Sequence, residues 1–63
     1  MNTNRAYIRQ TLLSDASSVF DVIIRQGESR TEINCLDSAN AMALADALYV
    51  AGYEVEDVMV RHA

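Results

Sequence analysis

Few groups in this chain could do chemistry, and the two most reactive are far apart in sequence. There is one thiol, Cys35, and one imidazole, His62. A nucleophilic cysteine needs a neighbouring base and a raised thiolate fraction. Cys35 has the same alternation parity as Ile33, which points it into a core, the usual place for a free cysteine. His62 is the penultimate residue, and chain ends are solvated. They read as a buried structural thiol and a solvated tail histidine, and no catalytic residue is assigned.

Glu54, Glu56 and Asp57 form the densest acidic stretch. Hard cations need several oxygens converging from one fixed loop. No D-x-D-x-D-G pattern is present, so the stretch reads as a solvated edge or as a contact for a basic partner, and no metal is assigned. The serines at 14, 17, 18, 29 and 38 fall at turns and a helix cap, where their local hydrogen bonds are used. No G-x-S-x-G elbow, P-loop or G-x-G-x-x-G occurs, and no cofactor is expected. The reading is non-enzymatic.

The net charge is −4, and all five cations are arginines: Arg5, Arg9, Arg25, Arg30 and Arg61. An acidic balance argues against a sequence-independent grip on nucleic acid, which requires a basic surface to displace counterions. It allows a partner with a basic surface.

These groups must be positioned by a single domain spanning residues 1–63. A chain of this length buries only about 60% of its unfolded surface. With one cysteine it can form no internal disulfide. Half of the residues are apolar, proline is absent and glycine occurs twice. Regular elements joined by short turns are expected. The opening Met-Asn-Thr-Asn-Arg leads into no apolar leader, and no apolar run reaches the ~18 residues of a membrane span. A cytoplasmic protein is expected.

Residues 5–13 alternate loosely, with Ala6, Ile8 and Leu12 on one face and Tyr7, Arg9, Thr11 and Leu13 on the other. Strand is favoured there over a short helix. Residues 14–17 are a turn. Ser18–Arg25 is the clearest strand, with Phe20, Val22 and Ile24 opposite Val19, Asp21, Ile23 and Arg25. Gln26–Ser29 makes a hairpin loop around Gly27. Arg30–Leu36 returns, with Thr31, Ile33 and Cys35 on one face and Glu32, Asn34 and Leu36 on the other.

Ser38–Ala51 is the one convincing helix. Asp37 or Ser38 caps it, Leu36 is placed to staple it, and Gly52 ends it with Tyr53 folding back on Leu48. Ala41, Leu44, Ala45 and Leu48 form its core stripe. In the last strand, Tyr53 and Val55 have one parity and Val58 and Val60 the other. A β-bulge at Glu56-Asp57 would bring all four to one face. The alternative is a strand beginning only at Asp57. Arg61-His62-Ala63 reads as a tail.

The expected fold is an α+β two-layer sandwich, β-β-β-α-β, with an antiparallel sheet of three to four strands and one helix on one face. It becomes α-β-β-α-β if residues 5–13 are helical. One helix covers one face, so the other meets water, a second copy or a partner. The candidate partner surface is Tyr7, Arg9, Val19, Asp21, Ile23, Arg25, Glu32 and Leu36, with the acidic edge Glu54, Glu56 and Asp57. The function expected is a small acidic protein-binding module, an accessory or inhibitor protein of the kind phages and mobile elements carry, with a homodimer as one form. The alternative is a nucleic-acid-binding module that uses strand arginines.

Overall fold

A computed structural model describes residues 4–63; the opening Met1–Thr3, part of the stretch read as lacking an apolar leader, lies outside it. The order is β1 (Arg5–Leu12), β2 (Ser18–Gln26), β3 (Ser29–Cys35), α1 (Ser38–Val50), β4 (Glu54–Val55) and β5 (Met59–His62). The first element is a strand, as the alternation of Ala6, Ile8 and Leu12 predicts. No described helix is long and apolar enough to cross a membrane.

The fold is α+β with one helix on a mostly antiparallel sheet, which differs from the expected sheet in two respects. The sheet has five strands, and both C-terminal ones run parallel to β1. The chain leaves β3, crosses in α1 and re-enters beside β1, so the last strands point along β1 rather than against it. β1 is therefore central, with β2 and then β3 on one side and β4 and β5 on the other.

The parity change at Glu56-Asp57 divides the last strand. Val55 pairs with Ala6, and Met59 pairs with Arg9. Two residues of β1 lie between those pairs, but three residues lie between Val55 and Met59. The extra residue is a bulge in the C-terminal strand. It keeps Val55 and Val60 on one side, opposite Ala6 and Gln10 respectively. The Glu56 N–H still reaches the Ala6 carbonyl at 2.8 Å, and the Ala63 N–H reaches that of Leu12 at 2.9 Å. Arg61 and His62 thus belong to β5, not to a tail.

Register places Ala6, Ile8, Phe20, Val22, Ile24, Ile33 and Cys35 on the helix side. Ile8 and Val22 pack with Ala41 and Ala45, flanked by Phe20, Ile24, Cys35, Leu44, Leu48 and Val55. Methyl side chains at 41 and 45 let α1 sit close on β1 and β2. The helix does not reach β5.

Both helix ends use the residues expected of them. Asp37 accepts a hydrogen bond from the Asn40 N–H at 2.9 Å, satisfying one of the free donors of the first turn. At the other end, Tyr53 N–H bonds the Leu48 carbonyl and Gly52 N–H bonds that of Tyr49, both at 3.0 Å. That is a Schellman closure with Gly52 at φ +100°. Gln26 donates to the Tyr53 hydroxyl, tying the helix exit to the β2–β3 hairpin. The staple is not formed: Leu36 lies in the β3–α1 link, outside both elements, and is 94% exposed.

No heavy atom would touch a Cβ added at Gly52. Gly52→Ala should therefore cost only the strain of positive φ, about 1–2 kcal/mol. Asp37→Ala should cost ~1 kcal/mol through the lost cap. Urea unfolding of each variant measures both.

Candidate functional site

The sheet face away from α1 is built in rows set by strand register. One row is Glu54, Arg5, Arg25 and Arg30; the next holds Tyr7, Ile23 and Glu32; the third is Met59, Arg9, Asp21 and Asn34; the fourth includes Arg61, Thr11 and Val19. Sequence parity put the candidate residues Tyr7, Arg9, Val19, Asp21, Ile23, Arg25 and Glu32 on this face, and register keeps them there.

Their exposure differs from expectation. Ile23 has no exposed surface, and Thr11 is buried with it. The reason is the ion network above them. Arg9 Nη2 bonds Asp21 Oδ2 at 3.2 Å and Glu32 Oε1 at 2.6 Å. Asn34 donates to the other Asp21 oxygen at 3.0 Å, and Arg30 reaches Glu32 at 3.5 Å. Arg61 Nε donates to Thr11 Oγ1 at 3.3 Å. The Arg9 and Asp21 side chains are only 12% and 15% exposed. Long arginine stems and the Tyr7 ring can cover apolar surface while their polar tips stay wet. Ile23 is accordingly a second small core and not an outward contact residue, and Leu36, off the strand, is not part of this face.

The network shifts its own members. Glu32 and then Asp21 hold the Arg9 guanidinium above its ordinary value. The Asn34 hydrogen bond, helped by Arg9 and Arg61 and opposed by desolvation, holds the Asp21 carboxyl below its ordinary 3.8. The Arg9 Nε is buried without a hydrogen-bond partner.

The acidic edge opens beside the bulge. Tyr7, Glu54, Val55, Glu56, Asp57 and Met59 line a cleft of about 450 Å³. Arg5 lies 3.8 Å from Glu54 and 4.0 Å from Glu56, and Asp57 makes no ion pair among the described residues. Among the described residues, no three His, Cys, Asp or Glu side chains gather as a metal site. Cys35 lies on β3 and His62 on β5, three strand spacings apart across the sheet, about 14 Å. They cannot act as a nucleophile and its base. Cys35 is half-buried against the core, its Sγ 3.7 Å from the Ile33 carbonyl.

Sequence reasoning missed the outward side of α1. Tyr49 is 71% and Val50 86% exposed, and Met42 is more than half exposed. Asp46 is the only charged residue in the helix. That near-absence of charge was the available signal, hidden because the alanines read as helix propensity. No family model matches the chain, and it is similar to no curated protein and no solved structure.

Ile23→Ala should cost ~2–4 kcal/mol in urea unfolding, as for a buried core residue; a cost near zero would mean that the face is solvated. Asp21 also gives a pH test. Its native carboxyl ionises more readily than in the unfolded chain. Its contribution is complete above the unfolded value and is lost as pH falls through the lower native one. The stability gap between wild type and Asp21→Asn should be full at pH 6 and shrink as pH falls below the ordinary carboxyl value.

Proposed function

We propose that this chain is a non-enzymatic protein-binding module, of accessory or inhibitor type, that contacts its partner through the outward side of α1. The observation that carries this reading is a helix with a single charged residue that is packed on one side only and leaves Met42, Tyr49 and Val50 exposed on the other. Helices of that composition are normally enclosed. Met42, Tyr49 and Val50 offer an aromatic and two aliphatic groups at helical spacing, the pattern by which a helix seats in an apolar groove. Asp46, four residues after Met42 and three before Tyr49, lies within this stripe, and with the net charge of −4 it suits a groove that offers a basic side chain. The separation of Cys35 from His62 is why no reaction is assigned.

A photo-cross-linking side chain tests the surface. Placed at position 42 or 49, it should trap a discrete adduct in the cell that makes the protein, whereas position 31 on β3 should not. Adducts from position 31 alone, or none at any position, would overturn the assignment.

One observation favours the nucleic-acid alternative. Arg5, Arg25 and Arg30 stand directly opposite one another, and Arg25 has no ion-pair partner among the described residues. If that row grips phosphates, single-stranded RNA should bind at low salt and release as salt rises, and Arg25→Ala should abolish binding. Absence of binding at low salt would eliminate the alternative.

A further inference from the structure

The outer edge of β5 pairs with no described strand, and α1 does not reach it. Val58, Met59 and Val60 are each about half exposed along it. Free sheet edges are usually blunted by charge, proline or a covering element. The opposite edge, β3, carries Arg30, Glu32 and Asn34. On the β5 side Arg61 and His62 lie in the strand and Glu56 and Asp57 precede it, which leaves Val58, Met59 and Val60 as an uncharged run between them.

The residues flanking that stretch are ordered in a specific way. Glu56-Asp57-Val58-Met59-Val60-Arg61-His62 reads acid, acid, apolar, apolar, apolar, base, base. Reversed against itself, each acid meets a base. From this we infer that β5 is a homodimer edge: two copies pair antiparallel about a two-fold axis through Met59.

Backbone direction restricts the register independently of charge. The Ala63 N–H bonds to β1. N–H and C=O alternate along a strand, so Val60 and His62 turn theirs outward. Two outward edges can join only if such residues oppose one another, which requires the axis to pass through a residue and not between two. Centred on Val60, the pairing would set Met59 against Arg61 of the second copy and Val58 against His62. Centred on Val58, it would set Met59 against Asp57 and Val60 against Glu56. Centred on Met59, Val58 meets Val60, and Asp57 and Glu56, in the bulge just beyond the ladder, come beside Arg61 and His62 of the second copy. Only this register opposes every charged or basic group to its complement and apolar to apolar.

The groups required are accessible. Among the described residues Asp57 makes no ion pair, and Glu56 has only a distant one to Arg5 at 4.0 Å. Arg61 spends its Nε on Thr11 and keeps its outer nitrogens. The bulge limits the ladder to the residues after Asp57, so the contact is small, below the ~1,200 Å² of a standard interface. It is reversible and concentration-dependent. The result is one continuous sheet with both helices on the same face, leaving the outward side of α1 clear.

Sedimentation velocity over a concentration series at low ionic strength tests this. The wild type should shift from monomer to dimer. Asp57→Arg and Arg61→Asp, both at exposed positions, should each weaken association at least tenfold, and the double variant should restore it. A wild type that stays monomeric, or a dimer indifferent to either charge reversal, would overturn the inference. Register is read separately in a Cys35→Ser background. Met59 on the axis is a non-hydrogen-bonded pair with Cα atoms ~4.5 Å apart, within disulfide reach. Met59→Cys should therefore oxidise to a covalent dimer faster than Val60→Cys; the reverse order would refute the axis.

Discussion

A sheet with one helix must dispose of its second face, and here the Arg9 guanidinium makes that possible. Ile23 lies on the uncovered side of β2 yet has no contact with water. No second layer shields it. Arg9 is held by carboxylates on β2 and on β3 beyond it, and Asn34 fixes the nearer one. A charge this little exposed is tolerable only because it is paired and hydrogen-bonded. The network thus serves as a thin polar roof. It also ties β1, β2 and β3 together through side chains, across the same strands that the backbone ladder joins.

The helix side is solved by different means. Alanine at 41 and 45 brings α1 close, and leucine at 44 and 48 fills the margin. The helix is too short to reach every strand, so β5 is held by β1 alone. That inequality leaves two apolar surfaces in view, the outer side of α1 and the edge of β5. A chain of this size has little core to spare, and such surfaces are what a small domain can offer to another molecule.

Much of this could be read from the residues. Alternation in Ser18–Arg25 placed Phe20, Val22 and Ile24 on one face, and register confirms it. The parity change at Glu56-Asp57 indicated a bulge, and one extra residue lies there. Asp37, Gly52 and Tyr53 form the helix ends as their side chains and conformational freedom dictate. What could not be read depends on tertiary pairing. Parity alone does not say that β4 and β5 run parallel to β1, because a crossing helix can return on either side. Nor does it say that Ile23 is sealed, because the seal is built from Arg9, Asp21, Glu32 and Asn34 on three separate strands. Leu36 followed the parity of β3, but the strand ends at Cys35, one residue before it.

The two faces of this one sheet answer to different solvents. Apolar packing beneath α1 strengthens when excluded salts raise the cost of exposed surface. The ion pairs opposite are screened by the same ions, the half-exposed Arg5–Glu54 and Arg30–Glu32 pairs before the recessed Arg9–Asp21 pair. Adding salt therefore shifts stability from one side of the sheet to the other instead of simply raising or lowering it. Screening sets in at low salt and the gain in apolar packing only at high concentrations of excluded salts, so the polar covering of Ile23 is weakened before the packing under α1 is strengthened.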